Sequence, residues 1–132
     1  MDKKTVSLIR GYLNKAQEKL TVAETLLKLK DYEDAVSRAY YSVFHAAQAV
    51  LLTEGLSSNT HQGLVSLFGL HFVKSGKLEK KFGKFLVELK DDRERSDYEI
   101  YSTIDKETAT QSIREAREFL EGIQQFLKKY LV

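Results

Sequence analysis

Apolar residues along this chain recur at alternating steps of three and four, the spacing that keeps one face of an α-helix buried. The first such run is Ile9, Leu13, Ala16, Leu20, Ala23 and Leu27, which predicts a long helix ending near Lys30. Asp31 then suits a cap, because its carboxylate accepts from the unpaired amides of a new first turn. The second helix carries Val36, Tyr40, Val43, Ala47 and Val50 as its inward stripe, and Gly55 supplies a left-handed stop beyond it. Ser57, Ser58, Asn59 and Thr60 read as a loop and capping signal, after which Leu64, Val65, Phe68 and Phe72 predict a shorter third helix stopping at Gly76. A fourth helix carries Leu78, Phe82, Phe85, Leu86 and Leu89. A fifth begins near Asp105 and carries Ile113, Ala116, Leu120, Ile123, Leu127 and Tyr130. Short connections set consecutive helices antiparallel. The expected fold is all-α, an up-and-down bundle of four to five antiparallel helices forming one domain over residues 1–132.

Composition narrows the chemistry. The 132 residues contain no proline and only 7 glycines, too few turn formers for a strand-rich fold. With no cysteine there is no disulfide, no thiolate nucleophile and no Cys-ligated zinc. His45, His61 and His71 lack the close helical pairing of a zinc site, so no metal is expected, and no glycine-rich phosphate loop points to a cofactor. The 21 basic and 19 acidic side chains leave a net charge of +2, which confines any nucleic-acid contact to a local site. No apolar run approaches the roughly 18 residues that span a bilayer, and the N-terminus lacks the apolar core of a signal peptide. A cytoplasmic chain with no membrane partner is expected.

Two features depart from a plain amphipathic bundle. At about 100° per residue, Asp34, Arg38, Tyr41, His45 and Gln48 fall on one narrow stripe of the second helix. Arginine offers a planar fork of donors, tyrosine a stacking surface and imidazole a proton near neutrality, a set that suits a phosphate or a base. The alternative is a helix sandwiched between neighbours, one of them in another subunit, with this stripe hydrogen-bonded inside the interface. The second feature is the end of the fourth helix, where the stripe of Phe82, Phe85 and Leu89 extends to Arg93, Ser96 and Ile100. An arginine directed toward a core is costly unless paired, so Arg93 calls for Asp97, a neighbouring helix or a ligand. Read blandly, it is an ordinary surface pair one turn apart. Lys77, Lys80, Lys81 and Lys84 form a basic stripe, either phosphate-tracking or simply solvated. His61, after the polar loop, suits either an anion at a helix start or a cap. His71 reads as a partly buried structural histidine.

The runs Arg38-Ala39-Tyr40-Tyr41-Ser42-Val43-Phe44-His45-Ala46-Ala47, Thr60-His61-Gln62-Gly63-Leu64, Phe72-Val73-Lys74-Ser75-Gly76 and Arg93-Glu94-Arg95-Ser96-Asp97-Tyr98 together resemble the HEPN family of small helical prokaryotic proteins, over almost the whole chain. The resemblance implies a bundle that commonly dimerises and is often encoded beside a small nucleotidyltransferase of the MNT type. In such pairs the HEPN protein can be the toxin and its partner the antitoxin. HEPN ribonucleases carry an arginine, four to six intervening residues and a histidine late in the bundle. Arg93 can fill the arginine role, but Asp97 and Tyr98 follow it where a histidine belongs. Arg38 and His45 match the motif literally, yet they lie on the second helix, about 10.5 Å apart along its axis.

Three readings follow. In the first, a homodimeric module binds a nucleotide, an RNA phosphate or a cognate nucleotidyltransferase through Arg38, Tyr41, His45 and His61 together with Arg93 and Asp97. In the second, a metal-independent endoribonuclease toxin works through Arg93 with Asp97, Tyr98 or a histidine brought from elsewhere in the fold. The third is a purely structural dimeric interaction domain. If the composite site exists, the two polar patches face a common cleft.

Overall fold

The computed structural model describes residues 1–101 and 103–132. Five α-helices run in chain order: α1 (Lys3–Lys28), α2 (Tyr32–Leu52), α3 (His61–Phe68), α4 (Lys80–Tyr98) and α5 (Lys106–Leu127). A π-helical segment, Gly69–Val73, continues α3, and a 3-10 turn, Lys128–Tyr130, follows α5. The described residues contain no strand, so the fold is the expected all-α bundle.

Local chemistry sets the helix starts. Asp2, Asp31, Thr60 and Asp105 each accept a hydrogen bond from the backbone N–H three residues on, at 2.7, 3.4, 2.9 and 2.8 Å. Such caps contribute about 1 kcal/mol each. The turn after α1 places Lys30 in the left-handed region at φ 64°, two residues beyond the end of the helix. Gly55 and Gly76, at φ 69° and 82°, make the stops anticipated for glycine. Leu78, expected within the fourth helix, lies just before it and is buried there.

The centre of the molecule is α2, which packs against α1, α3, α4 and α5. Its Ala35, Ala39, Ala46, Ala47 and Ala49 are fully buried, and small side chains on several faces let that many neighbours approach. Ser42 is buried among them and donates to the Ala16 carbonyl of α1 at 2.8 Å, so this polar group is satisfied. A single inward stripe therefore underestimates α2. Gln48, assigned by spacing to the polar stripe, is 8% exposed and donates to the Ser58 carbonyl at 3.2 Å, where it holds the loop before α3.

Gly122 of α5 fits against the Phe82 ring so closely that a Cβ there would overlap ring carbons. This contact brings α4 against α5. Three of the four lysines at and just before the start of α4 are paired with acids, so the basic stripe is not bare. Lys77 pairs with Glu54 at 2.6 Å, Lys81 with Glu118 at 3.1 Å and Lys84 with Glu88 at 3.7 Å. His71 is half-buried beside Glu54, 3.7 Å away, in the structural role expected of it.

Candidate anion-binding site

Three helices converge on one guanidinium. Tyr40 and Tyr41 are neighbours on α2 and point about 100° apart, so both flank the position reached by Arg93 of α4. The Arg93 guanidinium carbon lies 5.1 Å from the Tyr41 ring centroid and 5.8 Å from that of Tyr40. Both distances fall in the range of cation–π attraction. Arg93 Nη2 also meets Asp97 Oδ2, one turn along α4, at 3.2 Å. The Arg93 side chain is 22% exposed, while its Nε is buried and, among the described residues, has no hydrogen-bond partner. A guanidinium cannot shed its charge. With one half-exposed carboxylate as partner, Arg93 keeps donors for a further acceptor.

His61 enters the same cluster as the first residue of α3, set in place by the Thr60 cap. Its Nδ1 lies 2.6 Å from the hydroxyl of Tyr40. Tyr40 is fully buried, and burial pushes its phenol above the usual range, so it keeps its proton. A phenol O–H donating to Nδ1 leaves the neutral imidazole its hydrogen on Nε2, and Nδ1–H donating to the phenol oxygen leaves Nε2 bare. The His61 ring packs 4.9 Å from the Phe44 ring. Burial, followed by the charges of Arg93 and Lys90, lowers its pKa below the ordinary histidine value, with Glu94 opposing. At neutral pH the cluster offers a fixed cation and, in the first tautomer, an imidazole N–H, both donors suited to an anion.

Tyr41, His61, Arg93 and Asp97, taken from two separate stretches of polar sequence and the loop between them, are therefore brought together. Tyr98 is not among them, being 84% exposed at the end of α4. Arg38 is exposed and, among the described residues, has no ion-pair partner. His45 sits at the margin, 6.4 Å from the Tyr41 ring and stacked on Tyr12 of α1 at 6.2 Å. Burial and the charges of Lys15 and Lys19 lower its pKa. The Arg38 to His45 spacing thus joins no shared centre. Spacing placed Tyr40 in the core and missed its role, although a buried tyrosine needs a partner for its hydroxyl, and that need was the available signal. Among the described residues no group of three histidines or acids is placed to hold a metal ion. No helix is long and apolar enough to cross a membrane.

The all-α bundle defines the class of fold, and comparison with known proteins agrees with it. The profile of the HEPN domain matches residues 9–126, and the chain belongs to the HEPN family. It is 38% identical over 126 residues to "Putative toxin MJ0605" of Methanocaldococcus jannaschii, covering 93% of this chain and 91% of that one. It is 35% identical over 121 residues to a UPF0332 protein of Thermotoga maritima, covering 92% of each. Among solved structures, the crystal structure of TT1696 from Thermus thermophilus superposes with a TM-score of 0.77 at 17% identity, covering 90% of this chain and 98% of that chain. At that identity the likeness concerns the fold alone.

Proposed function

We propose that this HEPN protein is a toxin-type RNA-binding module whose central site grips a phosphate between Arg93 and His61. The observation that carries the reading is the Arg93 guanidinium, laid over Tyr41 at 5.1 Å with a single carboxylate partner. A cation held in this way, beside an imidazole N–H, offers several donors to one phosphate. The name "Putative toxin" carried by two Methanocaldococcus jannaschii relatives supports the toxin-type role. The family resemblance further suggests a homodimer and a partner nucleotidyltransferase of the MNT type, which sedimentation of the chain alone and with that partner would test. The test of the site is fluorescence anisotropy of a labelled single-stranded RNA in EDTA. Arg93→Ala is expected to lose at least tenfold in affinity. Unchanged binding by this variant would refute the site.

A second reading, RNA cleavage without metal, is favoured by His61 lying beside Arg93, which supplies the histidine that does not follow Arg93 in sequence. Asp97 would accept the 2′-hydroxyl proton as O2′ attacks phosphorus. The imidazolium form of His61, favoured once a phosphate lies beside it, would give its proton to O5′ as the P–O5′ bond breaks. The products would be a 2′,3′-cyclic phosphate and a 5′-hydroxyl. Gel analysis of RNA incubated in EDTA decides between the readings: cleavage abolished by both Arg93→Ala and His61→Ala supports the enzyme, and intact RNA supports binding alone.

A further inference from the structure

From Arg93 a line of aromatic rings runs away across the bundle. Tyr41 lies under the guanidinium, His45 follows at 6.4 Å on α2, and Tyr12 of α1 stacks on His45 at 6.2 Å with an interplanar angle of 23°. Tyr12, Tyr41 and His45 are all half-buried, and the His45 Nδ1 is buried with no hydrogen-bond partner among the described residues. Beyond Tyr12 the surface of α1 sinks into a shallow depression of about 270 Å³, lined by Ser7, Leu8, Gly11, Tyr12 and Lys15. Nothing lies within 4 Å of where a Gly11 side chain would begin, so the floor beside the tyrosine is bare backbone. Lys15 and Lys19 stand on the same side, close enough for their charges to act on His45. Among the described residues neither has an ion-pair partner, unlike Lys77, Lys81 and Lys84 of the opposite basic stretch.

We infer that single-stranded RNA held at Arg93 continues over this line of rings onto α1, where Tyr12 and the depression beside it take a nucleobase and Lys15 and Lys19 neutralise the neighbouring phosphates. The inference rests on the reading of Arg93 as a phosphate site and extends it to the path of the strand. A row of aromatic rings with Arg93 at one end and the unpaired Lys15 and Lys19 at the other suits a polymer that carries both planar bases and anions. They match a single strand, because a base already stacked and paired in a duplex has no free face to offer. The small net charge fits as well, since only one narrow strip of the surface need be cationic.

The test is anisotropy of 5′-labelled oligouridylates, a dinucleotide and an octanucleotide, in EDTA. Tyr12→Ala is expected to weaken the octanucleotide roughly tenfold, the loss of one stacked base, and to leave the dinucleotide unchanged, whereas Tyr12→Phe keeps both affinities. The surface pair Lys15→Ala/Lys19→Ala tests the same path without touching the core. It is expected to weaken the octanucleotide and to flatten the slope of log affinity against log salt by about 1.4, two single-strand phosphate contacts. If Arg93→Ala loses the octanucleotide while the Tyr12 and lysine variants bind it as wild type does, the path over α1 is overturned and the Arg93 site stands. If Arg93→Ala binds as wild type, the site itself fails.

Discussion

Asp92 and Arg93 are neighbours in sequence, and α4 turns them toward two regions that face the same difficulty. Each region removes charge from water, which costs free energy unless partners or neutralisation compensate. On the α5 side, Asp92 accepts from Ser112 Oγ at 3.3 Å and pairs with Arg95 at 2.9 Å. Glu115 of α5 lies nearby and is 8% exposed, with Gln111 donating to its Oε2 at 3.4 Å. Burial, then a shared hydrogen bond with Glu88, raises its carboxyl to about 7. The acidic region therefore relieves its strain by holding a proton. On the α2 side Arg93 has no such exit, because a guanidinium stays charged. It is held instead by two tyrosine faces and by Asp97. A carboxyl that can share a proton with a neighbouring carboxyl is self-contained, whereas a partly buried arginine keeps its charge and spare donors that a ligand could take.

The contrast is broken most severely by Arg93→Met, which keeps bulk and removes charge. RNA affinity is expected to fall about 10- to 100-fold, as for the loss of charge-assisted hydrogen bonds, while stability changes by no more than about 1 kcal/mol. Anisotropy and denaturant melts of one preparation read both. Next in size is Glu115→Gln. A carboxyl whose folded pKa lies above its unfolded value binds more protons folded than unfolded between about pH 4.5 and pH 7, so native stability falls as pH rises through that window. Glu115→Gln removes the burden, giving on the order of 1 kcal/mol at pH 8 and little at pH 5. Urea midpoints at the two pH values check it, and RNA affinity should not move.

Tyr40→Phe sharpens the other side of the contrast. It removes the hydroxyl paired with Nδ1 of His61, with an expected loss of about 1 kcal/mol of stability and a changed tautomer population visible in ring nitrogen shifts. The pKa of His61, already lowered by burial first, makes protonation at low pH unfavourable to the fold. This contribution to stability is lost as pH falls below the ordinary histidine value of about 6.5. His61→Gln should flatten that acid limb of the stability profile. The smallest effect belongs to Asp97→Asn, which frees the guanidinium from its one carboxylate. Stability should change by less than about 0.5 kcal/mol, and RNA affinity should rise two- to threefold if Arg93 is the anchor.

Much of this was legible in the chain. Helices are local, so the three-and-four spacing, the caps at Asp31 and Asp105 and the glycine stops at Gly55 and Gly76 are written in consecutive residues. The oddity of Arg93 in an apolar stripe was equally visible, and Asp97 is one of the partners it called for. The pairing of Tyr40 with His61 was hidden, because it joins positions 21 residues apart and depends on the angle at which α3 leaves its loop. Gln48 misled for a related reason. Spacing cannot tell a polar residue facing solvent from one turned inward to hold a loop, and α2 is covered on nearly every side. Tyr98 shared a sequence run with Arg93, but helical spacing alone sets it on the other side of a regular helix, and it is exposed at the end of α4.

The central claim, a phosphate held between Arg93 and His61, is tested most directly at the His61 ring. Nitrogen shifts of the labelled protein, followed through a pH titration with and without a saturating oligouridylate in EDTA, report both the tautomer and the charge of that imidazole. The expected result is a free protein with Nδ1 accepting and Nε2 protonated. RNA should then shift Nε2 and raise the imidazole pKa, since an adjacent anion favours the cationic form. RNA that saturates the protein while the His61 shifts and titration stay unchanged would place the phosphate elsewhere and contradict the claim.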